Sequence, residues 1–266
     1  MICSTESPPI RPVVWIMPEL DLVALFEPRK SIMLRGPPGS GKTEIAMNLI
    51  GRWLRNGEKV LFVSVSTSGE EILGRFFRTG FNQQEMEGRM LIVDCYQTQA
   101  TQSRNKLIIS INGLSHLESI TLAISTAVEA LGAPVRVVLD GLSTLFLHNA
   151  PQTMAKFVQV LSTRSKDEFG FLLFTVVEGM HENVTMNTLM SLADGVIEIE
   201  FDDGLMRFLR VRYIKGIKRI KTGQSWYSYT LSPDTNELKL EGPAKKNTSD
   251  LNSGPHGGRQ SMSGGG

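Results

Sequence analysis

A mostly parallel, twisted α/β sheet flanked by helices and ending in antiparallel strands is predicted by three features of the sequence. Short apolar runs alternate with segments whose apolar residues recur at helical spacing. The runs are apolar at consecutive positions, as in strands covered on both faces. Past Gly195 the alternation stops, and the runs are separated by turn residues instead.

Taken in order, residues 31–35 form an apolar run ending in a glycine-rich turn and predict the first strand. Ile45, Leu49, Ile50, Trp53 and Leu54 then predict a helix that stops at Gly57. VLFVSV (60–65) predicts a second strand. Residues 70–79 predict a helix with Ile72, Leu73, Phe76 and Phe77 facing inward, and residues 90–94 a third strand. Ser115 and Glu118 have capping-box spacing ahead of a stripe of Leu117, Ile120, Ile124, Ala127 and Leu131. VRVVLD (135–140) predicts a strand, Met154, Phe157, Val158 and Leu161 a helix, and residues 171–177 another strand. Runs at 196–201 and 205–213 flank Asp202-Asp203-Gly204, a hairpin signal, and residues 225–231 add a last strand.

Domain organisation follows from the same pass. Residues 1–27 are a proline-rich, irregular lead-in in which 20–26 is compatible with a short helix. Residues 28–241 form one α/β domain, and 242–266 have too few apolar residues to offset ordering entropy and read as a disordered tail. A net charge of +1 gives no global field toward nucleic acid or anionic lipid. Two cysteines, Cys3 and Cys95, are too few for a disulfide framework or a metal site, and the four histidines are scattered. With neither a signal-like start nor an apolar run near ~18 residues, a cytoplasmic protein without membrane insertion is expected.

The chemistry is concentrated in Gly36-Pro37-Pro38-Gly39-Ser40-Gly41-Lys42-Thr43, which satisfies G-x-x-x-x-G-K-[ST] between an apolar strand and an amphipathic helix. Its glycines let successive amides turn inward toward phosphate oxygens, and the helix start adds its partial positive charge, with Glu44 the next residue on that helix. Lys42 is expected on the β- and γ-phosphates and the Thr43 hydroxyl on Mg²⁺. Asp140 ends an apolar strand and precedes Gly141-Leu142-Ser143, where a carboxylate can hold the same ion. ATP and Mg²⁺ are therefore the expected ligand and cofactor.

With these motifs in place, the chain from about residue 31 to 240 resembles the KaiC-like branch of the RecA-superfamily P-loop ATPases. The resemblance rests on GPPGSGKT, on VVLDGLSTLF (137–146), and on Ala193-Asp194-Gly195-Val196-Ile197, in the family's order. It implies a RecA-like core, ATP binding, and homo-oligomeric rings, hexamers among them, with nucleotide at subunit interfaces.

Departures from the family pattern bear on activity. The glycine-rich stretch usual before the first core strand is replaced by LVALFEPRKSIML. Where the family ends its second core strand in water-polarising glutamate, this chain has Ser66 and Thr67, with Glu70 and Glu71 a turn later. The family's Lys-x-Arg-Gly segment, which reaches a neighbour's γ-phosphate, reads Tyr213-Ile214-Lys215-Gly216, so Lys215 alone keeps the charge. Loss of a general base (~10²–10⁴ in rate) together with part of a cationic finger (~10³–10⁵) predicts slow hydrolysis with binding retained. Thr175 and Glu178 fall where the family places a γ-phosphate sensor.

Arg210, Arg212, Lys215, Lys218, Arg219 and Lys221 form a basic run with three readings: a solvated strand face, positive charge for a neighbour's triphosphate, or a nucleic-acid contact. The leading expectation is a slow Mg-dependent ATPase in regulation or signalling, with Lys42 and Lys215 as catalytic cations. The alternative is a nucleotide-gated scaffold that holds ATP and binds a protein partner, as the archaellum-associated KaiC homologue illustrates. A DNA-binding recombinase relative ranks last.

Overall fold

The computed structural model describes residues 26–96, 104–111, 114–216, 225–232 and 238–244. Its strands are β1 (Lys30–Gly36), β2 (Val60–Ser64), β3 (Met90–Asp94), β4 (Ile108–Ser110), β5 (Val135–Asp140), β6 (Gly170–Val177), β7 (Gly195–Phe201), β8 (Arg207–Ile214), β9 (Trp226–Leu231) and β10 (Leu238–Ala244). The helices are α1 (Lys42–Arg55), α2 (Gly69–Arg78), α3 (Gln83–Met86), α4 (Leu117–Leu131), α5 (Leu142–Leu145), α6 (Pro151–Arg164), which continues as a π-helical turn (Ser165–Phe169), and α7 (Asn183–Leu192).

One sheet runs in the order β10-β9-β8-β7-β1-β6-β5-β2-β3-β4. Pairing is parallel from β7 through β4 and antiparallel from β7 to β10, the arrangement expected from the sequence. The chain moves outward from β1 to β2, β3 and β4, then returns through β5, β6 and β7. Right-handed crossovers place the helices of these two journeys on opposite faces. Accordingly Ile45, Trp53, Ile72 and Phe76 from α1 and α2 pack with Ile32, Leu34 and Phe62, whereas Ile124, Phe157 and Leu189 from α4, α6 and α7 pack with Met33, Val63 and Leu139. Alternate residues of each strand face different layers, and both layers are apolar, which is why the strands read as continuous apolar runs.

Three expectations need adjustment, and a fourth is not tested by the described residues. Phe77 is 41% exposed, because the stripe formed by Ile72, Leu73 and Phe76 already fills the inner face and the next position rotates out by about 100°. The capping box at Ser115 does not form: α4 begins at Leu117 with His116 as its cap and no side-chain cap hydrogen bond. Glu118 is therefore one position too early to reach back. β10 continues to Ala244, past residue 242 where a tail was expected to begin. The helix expected at 20–26 lies outside the described residues apart from Phe26, which is buried against Trp53 and Phe171 in edge-to-face contacts.

The segment at 193–197 anchors the start of β7. Asp194 Oδ2 accepts hydrogen bonds from Ser31 N (3.0 Å) and Ser31 Oγ (3.1 Å), while Lys166 Nζ reaches Oδ1 at 2.9 Å. At Gly195 a Cβ would lie 2.7 Å from Ile32 Cδ1 and 2.9 Å from Ile214 Cγ1, so only glycine lets β7 sit between β1 and β8. This motif aligns the strands flanking the loop rather than contributing to the site.

Candidate functional site

β1, β6, β5 and β2 end together at one edge, with Gly36 opposite Val177 and Ser64 opposite Asp140. In open α/β sheets, ligands bind at the carboxyl ends of the strands. Here the 36–43 loop crosses from β1 to α1. Gly41 adopts φ 85°, the left-handed conformation that lets the loop enter the helix, and Gly39 is also positive at φ 73°. Amides in the first turn of α1 have no intrahelical partners and make an anion-binding end.

Lys42 Nζ lies within the loop, donating to Pro37 O (2.8 Å), Gly36 O (3.0 Å) and Ser40 Oγ (3.3 Å). Burial lowers its pKa, opposed by the charges of Asp140, Glu44 and Glu178. Thr43 Oγ1 donates to Asp140 Oδ2 at 2.8 Å, so the two residues expected to share a metal ion are adjacent across 97 positions of sequence. Asp140 Oδ1 accepts from Thr175 Oγ1 (2.7 Å), which in turn accepts from Gly141 N (2.8 Å). Burial raises the Asp140 carboxyl above the ordinary carboxylate range, against the hydrogen bonds from Thr175 and Thr43. A buried carboxylate beside a hydroxyl is a hard-oxygen donor set that suits Mg²⁺, and a cation there would offset the cost of burying the charge.

A cavity of about 540 Å³ opens beside the loop, lined by Gly39, Gly41, Lys42, Thr43 and Glu44 on one side and by Arg207, Leu231 and Ser232 on the other. Its far wall comes from the antiparallel strands. Tyr229 on β9 donates its hydroxyl to the carbonyl of Ser40 and so docks that strand on the loop. Sequence patterns gave no sign of this wall, because it depends on β8 and β9 being brought beside β1 by β7.

Ser66 is exposed and lies against Gly141, where a Cβ would approach Ser66 Oγ to 2.9 Å, so it borders the Asp140 end of the site. Thr67 is turned back, its carbonyl accepting from Ser64 Oγ at 2.5 Å. Glu71 pairs with Arg75 at 2.7 Å, and Arg75 also approaches Glu44 at 3.5 Å. Glu178 follows β6 with its N–H on Gly36 O (2.9 Å) and its carboxylate 3.3 Å from Arg35. Ser143 is buried, accepting from Val177 N (2.9 Å) and sharing a hydrogen bond with His181 Nε2 (2.8 Å). Burial lowers the pKa of that imidazole.

Lys215 lies at the opposite edge of the sheet. Its N–H bonds Asp194 O (2.6 Å), its carbonyl accepts from Lys30 Nζ (2.7 Å), and its ammonium reaches Ser191 O (3.1 Å). Lys30 begins β1 and the loop follows its end, a separation of ~20 Å at ~3.3 Å per residue. Lys215 thus cannot serve the loop of its own chain. Arg210 and Arg212 are held by the buried Glu198 at 2.6 and 2.7 Å, whereas Lys218, Arg219 and Lys221 lie outside the described residues.

Comparison with known proteins agrees with this architecture. The family model described as "ATPase: KaiC" matches residues 18–238. A UPF0273 protein of Aeropyrum pernix is 25% identical over 197 residues, covering 71% of this chain and 78% of that protein. A UPF0273 protein of Pyrobaculum aerophilum is 27% identical over 124 residues, 45% of this chain and 43% of its own length. Among solved structures, a KaiC-like protein from Pyrococcus horikoshii OT3 superposes with a TM-score of 0.61 at 17% identity, covering 81% of this chain and 90% of that one. At that identity the structural likeness concerns the fold.

Proposed function

Since the chain belongs to the KaiC ATPase family, within the RecA superfamily, we propose that it binds Mg-ATP at residues 36–43 and hydrolyses it slowly, in a regulatory or signalling role in the cytoplasm. The observation that carries this reading is the contact between Thr43 and Asp140 beside the Lys42 ammonium, which assembles a polyanion cradle and a cation site at one strand edge. Among the described residues no helix is long and apolar enough to cross a membrane.

In this reading the loop amides and Lys42 hold the β- and γ-phosphates, and Thr43 and Asp140 hold Mg²⁺. The ion supplies charge neutralisation on the phosphate oxygens. Thr175 fixes the Asp140 carboxylate and couples it to Gly141, while Glu178 lies beside the loop within electrostatic range of Lys42. Calorimetric titration with Mg-ATP tests the reading. Lys42→Ala is expected to weaken binding by about 10- to 100-fold, the worth of charge-assisted hydrogen bonds. Equal heats from wild type and variant would refute it.

Lys215 can act only on a second copy, from the sheet edge opposite the loop. We therefore assign it to a neighbour's γ-phosphate in a homo-oligomeric ring. Native mass measurement should show assembly that depends on Mg-ATP; a monomer under both conditions would remove Lys215 from the mechanism.

A second reading, an ATP-holding scaffold for a protein partner, is favoured by Ser66 at the position of the family's glutamate. A nucleic-acid role is weakened, since Arg210 and Arg212 are engaged by Glu198.

A further inference from the structure

One buried hydroxyl with no part in holding phosphate or metal ties together two of the strand ends that border the loop. Ser143 belongs to α5, the short helix that follows Asp140. That helix is locked to β6 at two heights. Gly141 N donates to Thr175 Oγ1 (2.8 Å), which also holds Asp140, and Val177 N donates to Ser143 Oγ (2.9 Å). The same Ser143 oxygen lies 2.8 Å from His181 Nε2. Val177 and His181 thus both end on one oxygen, and Glu178 is carried between them.

The direction of the Ser143–His181 bond follows from the donors available. Ser143 Oγ already accepts from Val177 N, and among the described residues its own proton has no acceptor other than His181. Burial lowers the imidazole pKa, so near neutral pH Nε2 is free to accept that proton. Phe146, which closes α5, packs on the ring with centroids 4.4 Å apart. The ring also lines a cavity of about 280 Å³ with Leu147, Pro151 and Met180, so the contacts that fix it come from α5. Between the two anchors the chain has little packing of its own: Gly179 takes φ 83° in open space, and Met180 is half exposed. Glu178 meanwhile faces the loop, with its N–H on Gly36 O, its carboxylate beside Arg35 and its charge acting on Lys42.

We propose that His181 is a positioning residue for nucleotide hydrolysis: through Ser143 it fixes the turn that carries Glu178, and so holds that carboxylate at one place beside the phosphate loop. This rests on the reading of residues 36–43 as the site of a hydrolysed nucleotide. It extends that reading to a side chain whose hydrogen bond goes to Ser143 rather than to the loop or to Asp140. Because Thr175 joins Asp140 to the same helix, the bond places Glu178 in the frame of the proposed metal carboxylate. A misplacement of about 1 Å can cost on the order of 100-fold in rate. Lys42 keeps its own contacts within the loop whatever the turn does, so rate should respond and affinity should not.

The test is phosphate release and calorimetric titration of Mg-ATP on wild type, Lys42→Ala, His181→Ala, His181→Gln, Glu178→Ala and the Glu178→Ala/His181→Ala double variant, with urea midpoints alongside. His181→Ala is expected to lower kcat about 10- to 100-fold while Kd stays at the wild-type value. His181→Gln should recover most of the rate, because its amide oxygen can take the place of Nε2 and accept from Ser143. The double variant should lose no more than Glu178→Ala alone, since both changes act through one carboxylate. Should His181→Ala not fold, His181→Phe keeps the ring on Phe146, removes the acceptor and carries the comparison with glutamine. Full turnover without the acceptor, no recovery with glutamine, an additive loss in the double variant, or a loss confined to Kd overturns the assignment and leaves the loop's role intact. If wild type gives no heat with Mg-ATP, or releases no more phosphate than Lys42→Ala, the reading of the loop fails and the assignment falls with it.

Discussion

Replacing Ser66 with glutamate is expected to raise phosphate release by about 10²–10⁴-fold, the usual contribution of a general base. Ser66 lies two residues past the end of β2, is exposed, and packs against Gly141 immediately after Asp140. A longer carboxylate can therefore enter the solvent next to the Asp140 end of the site without displacing core residues. Thr67 is a poorer position, because its carbonyl is tied to Ser64 and the chain turns away there. The carboxylates already present nearby are committed elsewhere: Glu71 to Arg75, and both oxygens of Asp94 to the amides of Gly69 (2.8 Å) and Tyr96 (2.9 Å). Phosphate release by Ser66→Glu, measured against a Ser66→Glu/Lys42→Ala double variant, checks the expectation. Turnover unchanged from wild type would shift the base role to a native group, with Glu178 the first to examine because its charge already acts on Lys42.

What the sequence made legible was local. The loop is contiguous, its strand and helix adjoin it, and Asp140 is marked by the end of an apolar run, so their meeting could be anticipated without knowing the strand order. α7 was not legible, since Asn183–Leu192 buries only Met186 and Leu189 among threonines and asparagines and shows little stripe. Neither β4, only three residues long, nor β10 carried enough pattern to stand out. The largest gap lay in the antiparallel edge. Arg210 and Arg212 read as part of one basic run, but pairing of β7 with β8 turns them onto a buried glutamate that lies 12 and 14 residues earlier. Similarly, nothing local links Tyr229 to Ser40; that contact requires β9 to come within reach of the loop through β8 and β7. Periodicity reports which face a residue occupies, and leaves open which strand lies beside it.

That buried glutamate leads to the second large effect. Glu198 is fully buried, accepts charged hydrogen bonds from Arg210 (2.6 Å) and Arg212 (2.7 Å), and forms an ion pair with Arg35 at 2.8 Å. Glu198→Ala would leave three guanidinium groups around an empty position, one of them the nearly enclosed Arg35, and is expected to cost about 3–5 kcal/mol in urea denaturation at neutral pH. Glu198→Gln should cost less, because an amide oxygen still accepts. Burial alone would raise the Glu198 pKa, but the bonds from Arg212 and Arg210 and the charge of Arg35 outweigh it and hold the carboxyl below the ordinary glutamate range. A carboxyl depressed in the folded state adds stability that is complete above its unfolded value, ~4.3. That stability is lost as pH falls through the lower folded value. The advantage of wild type over Glu198→Gln should therefore persist at neutral pH and shrink at strongly acid pH, where both side chains are neutral. A gap that stayed constant across that range would show that shape, not charge, accounts for it. The consequence reaches the site as well: Arg35 immediately precedes Gly36 and also approaches Glu178, so the cluster sets the exit of β1 from which the phosphate loop departs. Weakened Mg-ATP binding in Glu198→Gln, under conditions where the protein remains folded, is the expected sign that this buried charge positions the loop in addition to stabilising the sheet.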